Sequence, residues 1–285
     1  MNADSPAPTR LIVTGARGLL GREILRLAPA AAGYGRSELD ITDRAAVDAV
    51  VSPGAVVLNC AAYTAVDAAE TDREAAFTGN ATGPAVLAAA CAAAGARLIH
   101  VSTDYVFPGT ARTPYEPDDP TGPATVYGQS KLAGEQAVRE LCPAAQIVRT
   151  AWVYAGVDGD FVATMRRLEG ERETVSVVDD QVGSPTSAAD LAAALLELST
   201  RPDAPRVLHA TNSGTATWFD LARAVFTELG ADPARVLPCD STAFPRPAPR
   251  PAYSVLSPTV WNAAGLTPLR PWRSALTDTF RRVSG

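Results

Sequence analysis

The stretch Arg10–Gly21 decides the fold, and it has the sequence Arg-Leu-Ile-Val-Thr-Gly-Ala-Arg-Gly-Leu-Leu-Gly. The run Arg10–Val13 predicts a short buried strand, and Leu19–Ala28 predicts the helix that follows it. The glycines between them permit a tight turn and let backbone N–H groups approach a phosphate at the positive end of the helix dipole. The pattern therefore predicts a dinucleotide-binding turn formed by Gly15, Arg17, Gly18, Leu19, Leu20 and Gly21.

Further along the chain, continuous apolar runs alternate with helical patterns, which is typical of a parallel sheet covered on both faces. Further strands are predicted at Ala32–Gly35, Ala55–Asn59, Arg97–Val101 and Gln146–Arg149. Helices are predicted at Arg44–Val51, Glu74–Ala94 and Tyr127–Leu141. We expect an α/β protein with a doubly wound Rossmann sheet.

The second half has a different pattern and predicts a smaller, mainly substrate-binding domain over residues 151–285, after a dinucleotide-binding domain over 1–150. Helices are predicted at Ser187–Ser199 and Trp218–Leu229, the second capped by Thr217. A lone strand near Arg206–Thr211 can rejoin the main sheet. The segment Phe244–Pro251 contains four prolines, which favours a surface loop near the substrate.

Composition excludes several other classes of protein. The formal net charge is −6 and the chain has no basic stripe with interleaved aromatic residues, so no nucleic acid partner is expected. Residues 1–10 do not resemble a signal peptide, and no apolar run is long enough to span a membrane, which favours the cytoplasm. The four cysteines are scattered and only two histidines are present, so no metal site is expected.

The end of the second predicted strand bears on the choice of nicotinamide nucleotide. Arg36 follows this strand, and together with Arg17 it could bind a 2′-phosphate through charge-assisted hydrogen bonds. Glu38 could instead bind the ribose diol of NADH. The arginines favour NADPH, with NADH left open, and Asp40 and Ile41 are expected to border the adenine.

Two short motifs indicate proton-transfer chemistry. Ser102-Thr103-Asp104 follows a strand, and Tyr127 and Lys131 are four residues apart, on one face of a helix. Lys131 is the only lysine among the 25 basic side chains, although chance could also leave one lysine on a surface helix. An ammonium at ~4 Å would stabilise a phenolate by about 4 kcal/mol, which corresponds to roughly three pKa units before desolvation reverses part of the shift. We therefore expect Lys131 to lower the pKa of Tyr127, and Thr103 to bind a substrate carbonyl.

The motifs together resemble the extended short-chain dehydrogenases/reductases, and most closely the dTDP-4-dehydrorhamnose reductase family. The segments that carry the resemblance are Asn59–Glu70 (NCAAYTAVDAAE), Ser102–Phe107 (STDYVF), Tyr127–Glu135 (YGQSKLAGE), Arg149–Tyr154 (RTAWVY), Asp179–Thr186 (DDQVGSPT) and Arg250–Ser257 (RPAYSVLS). The resemblance spans roughly residues 11–280.

This resemblance implies reduction of the C4 ketone of dTDP-4-dehydro-L-rhamnose, with hydride from NADPH and a proton from Tyr127. Lys131 would hold the nicotinamide ribose, and Ala61, Ala62 and Tyr63 would line the dinucleotide. The residues implied in substrate binding are Thr103, Asp104, Val106, Trp152 and Arg250. Some relatives are described with Mg²⁺, but the sequence contains no carboxylate cluster that requires it.

Other functions on the same fold remain open at this point. A reductase of another dTDP-4-keto sugar, such as a dihydrostreptose precursor, would carry the same motifs. A 4,6-dehydratase would carry Asp-Glu after the Ser/Thr, whereas Tyr105 follows Asp104 here. An NAD-retaining epimerase is disfavoured by Arg36. A non-catalytic role, like that of the regulatory subunit of methionine adenosyltransferase, would not require Tyr127 and Lys131. Both a monomer and a homodimer are compatible with the sequence.

Overall fold

The structure is a computed structural model that describes residues 10–157 and 159–283. The strands are β1 (Leu11–Thr14), β2 (Ala32–Tyr34), β3 (Val56–Asn59), β4 (Arg97–Thr103), β5 (Gln146–Thr150), β6 (Val153–Tyr154), β7 (Val175–Val178), β8 (Val182–Gly183), β9 (Thr186–Ser187), β10 (Val207–His209), β11 (Ala216–Thr217) and β12 (Val236–Cys239). The helices are α1 (Leu19–Leu27), α2 (Arg44–Val50), α3 (Val66–Ala69), α4 (Arg73–Phe77), α5 (Gly83–Ala94), α6 (Val126–Leu141), α7 (Phe161–Glu171), α8 (Ala188–Ser199), α9 (Trp218–Glu228), α10 (Thr259–Ala263) and α11 (Trp272–Val283).

Six strands form one parallel sheet in the order β10-β5-β4-β3-β1-β2. Successive residues of β1 point to opposite faces, so that Ile12 packs beneath α2, α5 and α6 while Val13 packs beneath α1 and α8. Both faces of the sheet are therefore buried under helices, and the predicted doubly wound Rossmann architecture is confirmed.

The second half of the chain contributes to two hydrophobic cores. Strand β10 pairs with β5 at the edge of the main sheet, as expected for the lone strand, and α8 packs on the same face as α1. A separate apolar cluster joins α7, α9 and α11 with β7 and β12. Thr217 caps α9 in a reciprocal capping box with Asp220. The division of the chain at residue 150 stays a prediction.

The predicted helix over Glu74–Ala94 is wrong at one turn. The structure has α4, then a π-helical turn at Thr78–Thr82, and then α5. Helix α6 approaches this turn so closely at Gly134 that a Cβ there would collide with the carbonyl oxygen of Asn80. Such wide turns are frequent at functional sites. Here the turn brings the Asn80 side chain against the segment after β3 and against α6.

Candidate active site

The glycine turn after β1 is shaped by close backbone approach. Gly15 has φ +67°, and a Cβ at this position would lie 2.6 Å from the backbone of Cys60 and Ala61. Gly21 packs against the carbonyl of Gly15 with no room for a side chain. Gly18 precedes α1 without a capping side chain, so the first N–H groups of the helix have no side-chain acceptor. Leu19 and Leu20 begin α1, and the side chain of Leu20 is buried in the core. The turn therefore fits a pyrophosphate held by backbone N–H groups.

The end of β2 carries mixed charges. Glu38 accepts hydrogen bonds from the Gly35 N–H at 2.7 Å and from the Arg17 guanidinium. These two bonds lower the pKa of Glu38. The Arg17 guanidinium, which was expected to bind a 2′-phosphate, is therefore paired with the Glu38 carboxylate. Arg36 is exposed and makes no ion pair with any residue that the structure describes. The end of β2 therefore offers the exposed Arg36 guanidinium to a 2′-phosphate and the Glu38 carboxylate to a ribose diol.

The two residues expected at the adenine have different environments. Asp40 is exposed, and its carboxylate accepts hydrogen bonds from the backbone and the hydroxyl of Thr42, at 2.9 and 2.7 Å. Ile41 is buried in the core between α2 and α5, where it packs on Gly83. An adenine ring could contact Asp40 directly, but only a small part of the Ile41 side chain is accessible.

The segment after β3 passes next to the glycine turn. The backbone N–H of Ala61 donates to Asn59 Oδ1 at 3.1 Å, beside Gly15. Ala62 is exposed. The backbone of Tyr63 is held on both sides by Asn80, whose amide also donates to Ser130 Oγ of α6 at 3.0 Å. The predicted dinucleotide-lining segment is thus tied to the helix that bears Tyr127 and Lys131.

The structure brings the three residues predicted to be catalytic together at the carboxyl end of β4. Tyr127 and Lys131 lie one turn apart on α6 and are 9% and 2% exposed. The ammonium of Lys131 donates to the carbonyl oxygen of Val101 at 2.8 Å. Thr103 ends β4, and its hydroxyl lies beside that of Tyr127. The Tyr127 ring also packs edge-on against Tyr105, with 5.5 Å between centroids.

The expected acidification of Tyr127 is wrong. Burial raises the pKa of Tyr127 to about 12; the Thr103 hydroxyl lowers this pKa and the Asp104 carboxylate raises it, but Lys131 has no resolved effect. Burial also lowers the pKa of Lys131 to about 8, even though the Glu135 carboxylate favours the ammonium form. Sequence spacing gave the proximity of the two groups but not the cost of removing them from water, which dominates here.

The residues predicted to bind substrate next to Thr103 have distinct environments. Asp104 Oδ1 accepts a hydrogen bond from the Thr103 hydroxyl at 2.9 Å, and burial raises the pKa of Asp104 to about 6. The side chain of Val106 is fully buried against Phe107 and Leu256. Only the backbone of Val106 can therefore reach a ligand, because its side chain belongs to the core.

Trp152 has the left-handed backbone conformation that non-glycine residues seldom adopt, with φ +47°. Its indole stacks on Trp218 at 3.6 Å between centroids and packs against Gly183, where a side chain would collide with it. Strained backbone of this kind persists only where neighbouring contacts hold it, and it is common at ligand-binding sites. The half-buried indole remains a candidate substrate contact.

Arg250 lies at one wall of a cavity of about 220 Å³, together with Tyr105, Phe107, Thr125 and Pro249. Its guanidinium donates to Asp67 Oδ2 at 2.8 Å and to the Ala248 carbonyl at 2.9 Å. The Arg250 guanidinium is therefore already bonded within the protein, and the predicted substrate contact would be made in addition to these two bonds.

Three residues that contribute to the site were not predicted from the sequence. Asp67 holds Arg250, and Glu70 Oε1 accepts the Val126 N–H at 2.9 Å at the start of α6. Asp67 and Glu70 are three residues apart in the segment Asn59–Glu70, and this spacing, which places two carboxylates on one helix face, could have indicated their role. Asn80 is fully buried, although it lies between the exposed residues Thr78 and Thr82. No pattern in the sequence distinguished Asn80 from its polar neighbours.

Two further features of the described residues limit the kinds of site present. Within residues 10–157 and 159–283, no group of three or more His, Cys, Asp or Glu side chains could hold a metal ion. Over the same residues, no helix is both long and apolar enough to cross a bilayer. All four cysteines carry free thiols.

The parallel sheet, the glycine turn after β1 and the buried Tyr–Lys pair on α6 define the short-chain dehydrogenase/reductase class. The family model described as RmlD substrate binding domain matches residues 9–284, and the chain belongs to this family. A dTDP-4-dehydrorhamnose reductase of Mycolicibacterium smegmatis is 55% identical, over 97% of this chain and 86% of the relative.

Solved structures give the same result. A dTDP-4-dehydrorhamnose reductase from Clostridium acetobutylicum is similar over 97% of this chain and 100% of its own, with TM-score 0.92 and 39% identity. The Bacillus anthracis dTDP-4-dehydrorhamnose reductase, solved in complex with NADP, has TM-score 0.91 and 37% identity, and the match covers 96% and 99% of the two chains.

Proposed function

We propose that this protein uses NADPH to reduce the 4-keto group of a dTDP-4-dehydro-6-deoxy sugar, specifically dTDP-4-dehydro-L-rhamnose. The observation that carries the proposal is the buried group of Thr103, Tyr127 and Lys131 at the carboxyl end of β4. The names of the relatives support the substrate, and the NADP complex of the Bacillus anthracis protein supports the cofactor. Four free thiols fit a reducing compartment, so we place the reaction in the cytoplasm.

The chain offers a site for each part of the cofactor. Gly15, Gly18 and the start of α1 would hold the pyrophosphate, Ala61–Tyr63 would line the dinucleotide, and Lys131 would hold the nicotinamide ribose. NADPH, when bound, supplies the hydride for the reaction. The absence of any possible side chain at Gly15 and Gly21 is the feature of this structure that fits the group.

Tyr127 is suited to donate the proton. Because burial raises the pKa of Tyr127 to about 12, the phenol stays protonated throughout the neutral range, as a proton donor requires. The Thr103 hydroxyl donates to Asp104 Oδ1 in this structure, and on substrate binding it would turn to donate to the substrate carbonyl and orient the carbonyl oxygen toward the phenol. The ammonium of Lys131 lies one turn further along the same helix and donates to the Val101 carbonyl, a position from which it would hold the nicotinamide ribose.

The proposal is tested by mixing the purified protein with NADPH and a panel of dTDP-4-keto sugars, and following the absorbance of the reduced nicotinamide. We expect oxidation with dTDP-4-dehydro-L-rhamnose, and dTDP-L-rhamnose as the product by NMR. Faster turnover of another dTDP-4-keto sugar would reassign the substrate. Redox-neutral isomerisation would indicate an epimerase, and the absence of any turnover would leave only a binding role.

We predict that Arg36→Ala weakens NADPH binding about tenfold, the loss of one charge-assisted hydrogen bond, while changing NADH binding less than about twofold. The measurement is the Kd of each nucleotide by fluorescence titration. Arg22→Ala, which removes another exposed charge on α1, is the control. An equal loss for both nucleotides in Arg36→Ala would contradict a 2′-phosphate contact and favour Glu38 as the ribose ligand.

A further inference from the structure

The proline-rich segment 245–250 packs with Ala248 fully buried and is hydrogen-bonded to the rest of the chain at a single side chain, that of Asp67. Asp67 Oδ1 accepts the Ala248 N–H at 3.3 Å, Asp67 Oδ2 accepts the Arg250 guanidinium at 2.8 Å, and Arg246 lies 3.6 Å away. Within the part of the chain that the structure describes, every hydrogen bond from this segment to another segment goes to Asp67.

The composition of the segment explains why it depends on one carboxylate. Pro245, Pro247 and Pro249 have no backbone N–H, and the segment forms no helix and joins no sheet. It cannot be held by a regular ladder of backbone bonds. A second bond, from Arg250 to the Ala248 carbonyl, closes a ring of three residues with Asp67. This ring fixes the path of the backbone on either side of Pro249.

The position of Asp67 links this segment to the candidate active site. Asp67 lies on α3, which begins three residues after Tyr63, at the end of the predicted dinucleotide-lining segment. Pro249 and Arg250 form one wall of the 220 Å³ cavity, and Tyr105 forms another. Tyr105 packs edge-on against Tyr127. A shift of the 245–250 segment would therefore change the shape of the space next to the proton donor.

The charge balance favours a fixed attachment. The Asp67 and Arg250 side chains are 28% and 21% exposed, so neither group is fully solvated when the other is removed. An unpaired charge in a largely buried position is costly, and the loop would rearrange to expose it. Loss of the carboxylate is thus expected to displace the segment rather than to leave it in place with a free guanidinium.

We propose that Asp67 is a positioning residue that fastens segment 245–250 over the cavity and so sets the affinity for the dTDP-sugar. The inference rests on the proposed function for the identity of the ligand. Asp67 acts through Arg250 and Ala248 and does not itself take part in proton transfer. It acts on substrate binding, whereas the glycine turn and Arg36 act on the nucleotide cofactor.

The test compares Asp67→Asn with Glu169→Gln. Glu169 pairs with Arg235 at 2.6 Å with similar exposures, 26% and 29%, in the separate cluster around α7 and α9. In Asp67→Asn we expect KM for the dTDP-4-keto sugar to rise about tenfold, with kcat within about threefold and the Kd of NADPH within about twofold. Glu169→Gln should leave all three constants unchanged. An unchanged or lower KM in Asp67→Asn would overturn the proposal.

A double-mutant cycle separates positioning from a general loss of stability. If Asp67 acts through Arg250, then Asp67→Asn combined with Arg250→Gln should raise KM no more than the larger single effect. Effects that multiply would show that the two residues act independently and would contradict the ring. Should Asp67→Asn not fold, Asp67→Ser, which keeps a short acceptor for the Ala248 N–H, replaces it in the cycle.

Calorimetric titration with dTDP compares the same two variants with wild type through the Kd of dTDP and requires no turnover. A wild-type protein that binds dTDP but oxidises no NADPH would contradict the proposed function. In that case the Kd of dTDP decides this inference: a tenfold rise in Asp67→Asn supports it, and an unchanged Kd overturns it.

Discussion

Replacing Tyr127 with phenylalanine is expected to lower kcat by at least ~10², the usual loss when a general acid is removed. The substitution deletes one hydroxyl and keeps the ring that packs against Tyr105, so the site should retain its shape. Because the predicted pyrophosphate contacts come from the glycine turn, the Kd of NADPH should stay within about twofold of the wild-type value.

The measurement is steady-state NADPH oxidation with the dTDP-4-keto sugar, beside a fluorescence titration of NADPH. Tyr154→Phe is the matched control, because Tyr154 is also buried but lies in the separate cluster around α7 and α9. Turnover close to wild type in Tyr127→Phe would remove this phenol from the mechanism. Another group, Asp104 first because its pKa is raised to about 6, would then have to supply the proton.

Replacing Lys131 with methionine is expected to lower kcat by at least ~10² without lowering the free energy of unfolding at pH 7. Burial lowers the pKa of Lys131 from 10.5 to about 8, which costs the folded protein about 3 kcal/mol at neutral pH. Methionine removes this cost and fills a similar volume. The substitution also removes the hydrogen bond to the Val101 carbonyl, which lowers the free energy of unfolding by about 1–3 kcal/mol and offsets part of this gain.

The pH dependence of unfolding checks the same interpretation of Lys131. Since the folded pKa is the lower one, the burial cost is fully present below about pH 8 and disappears as pH rises toward the unfolded value of 10.5. Wild type should therefore gain stability relative to Lys131→Met between these pH values, measured by denaturant titration. A constant difference across this range would mean that the amine is not buried as a charge.

Full activity in Lys131→Arg would mean that the shape of the cation is unimportant.

The sequence predicts the local parts of this protein well. The strand, glycine turn and helix from Leu11 to Leu27 follow from residues next to one another, and so does the Tyr127–Lys131 spacing on one helix face. The π-helical turn at Thr78–Thr82 was not predictable, because it depends on the close approach of Gly134 from a later helix. Local patterns do not contain such contacts.

The electrostatics of the site depend on the whole fold for the same reason. The expected lowering of the Tyr127 pKa gave more weight to one neighbouring charge than to desolvation, whereas burial in the folded chain sets the actual direction. The Asp67–Arg250 pair joins residues 183 positions apart. Either residue could be noticed in its motif, but only the fold shows that they form one unit.

In the proposed reaction, hydride and a proton are delivered to the C4 carbonyl of a dTDP-4-keto sugar next to Tyr127. The most direct test is to run the reaction with NADPH that carries deuterium at both C4 positions of the nicotinamide and to examine the product by NMR. We predict one deuterium at C4 of a dTDP-6-deoxy sugar, formed in proportion to the nucleotide oxidised. Nucleotide oxidation with no deuterium at that carbon, or a rearranged sugar with no net oxidation, would contradict the account.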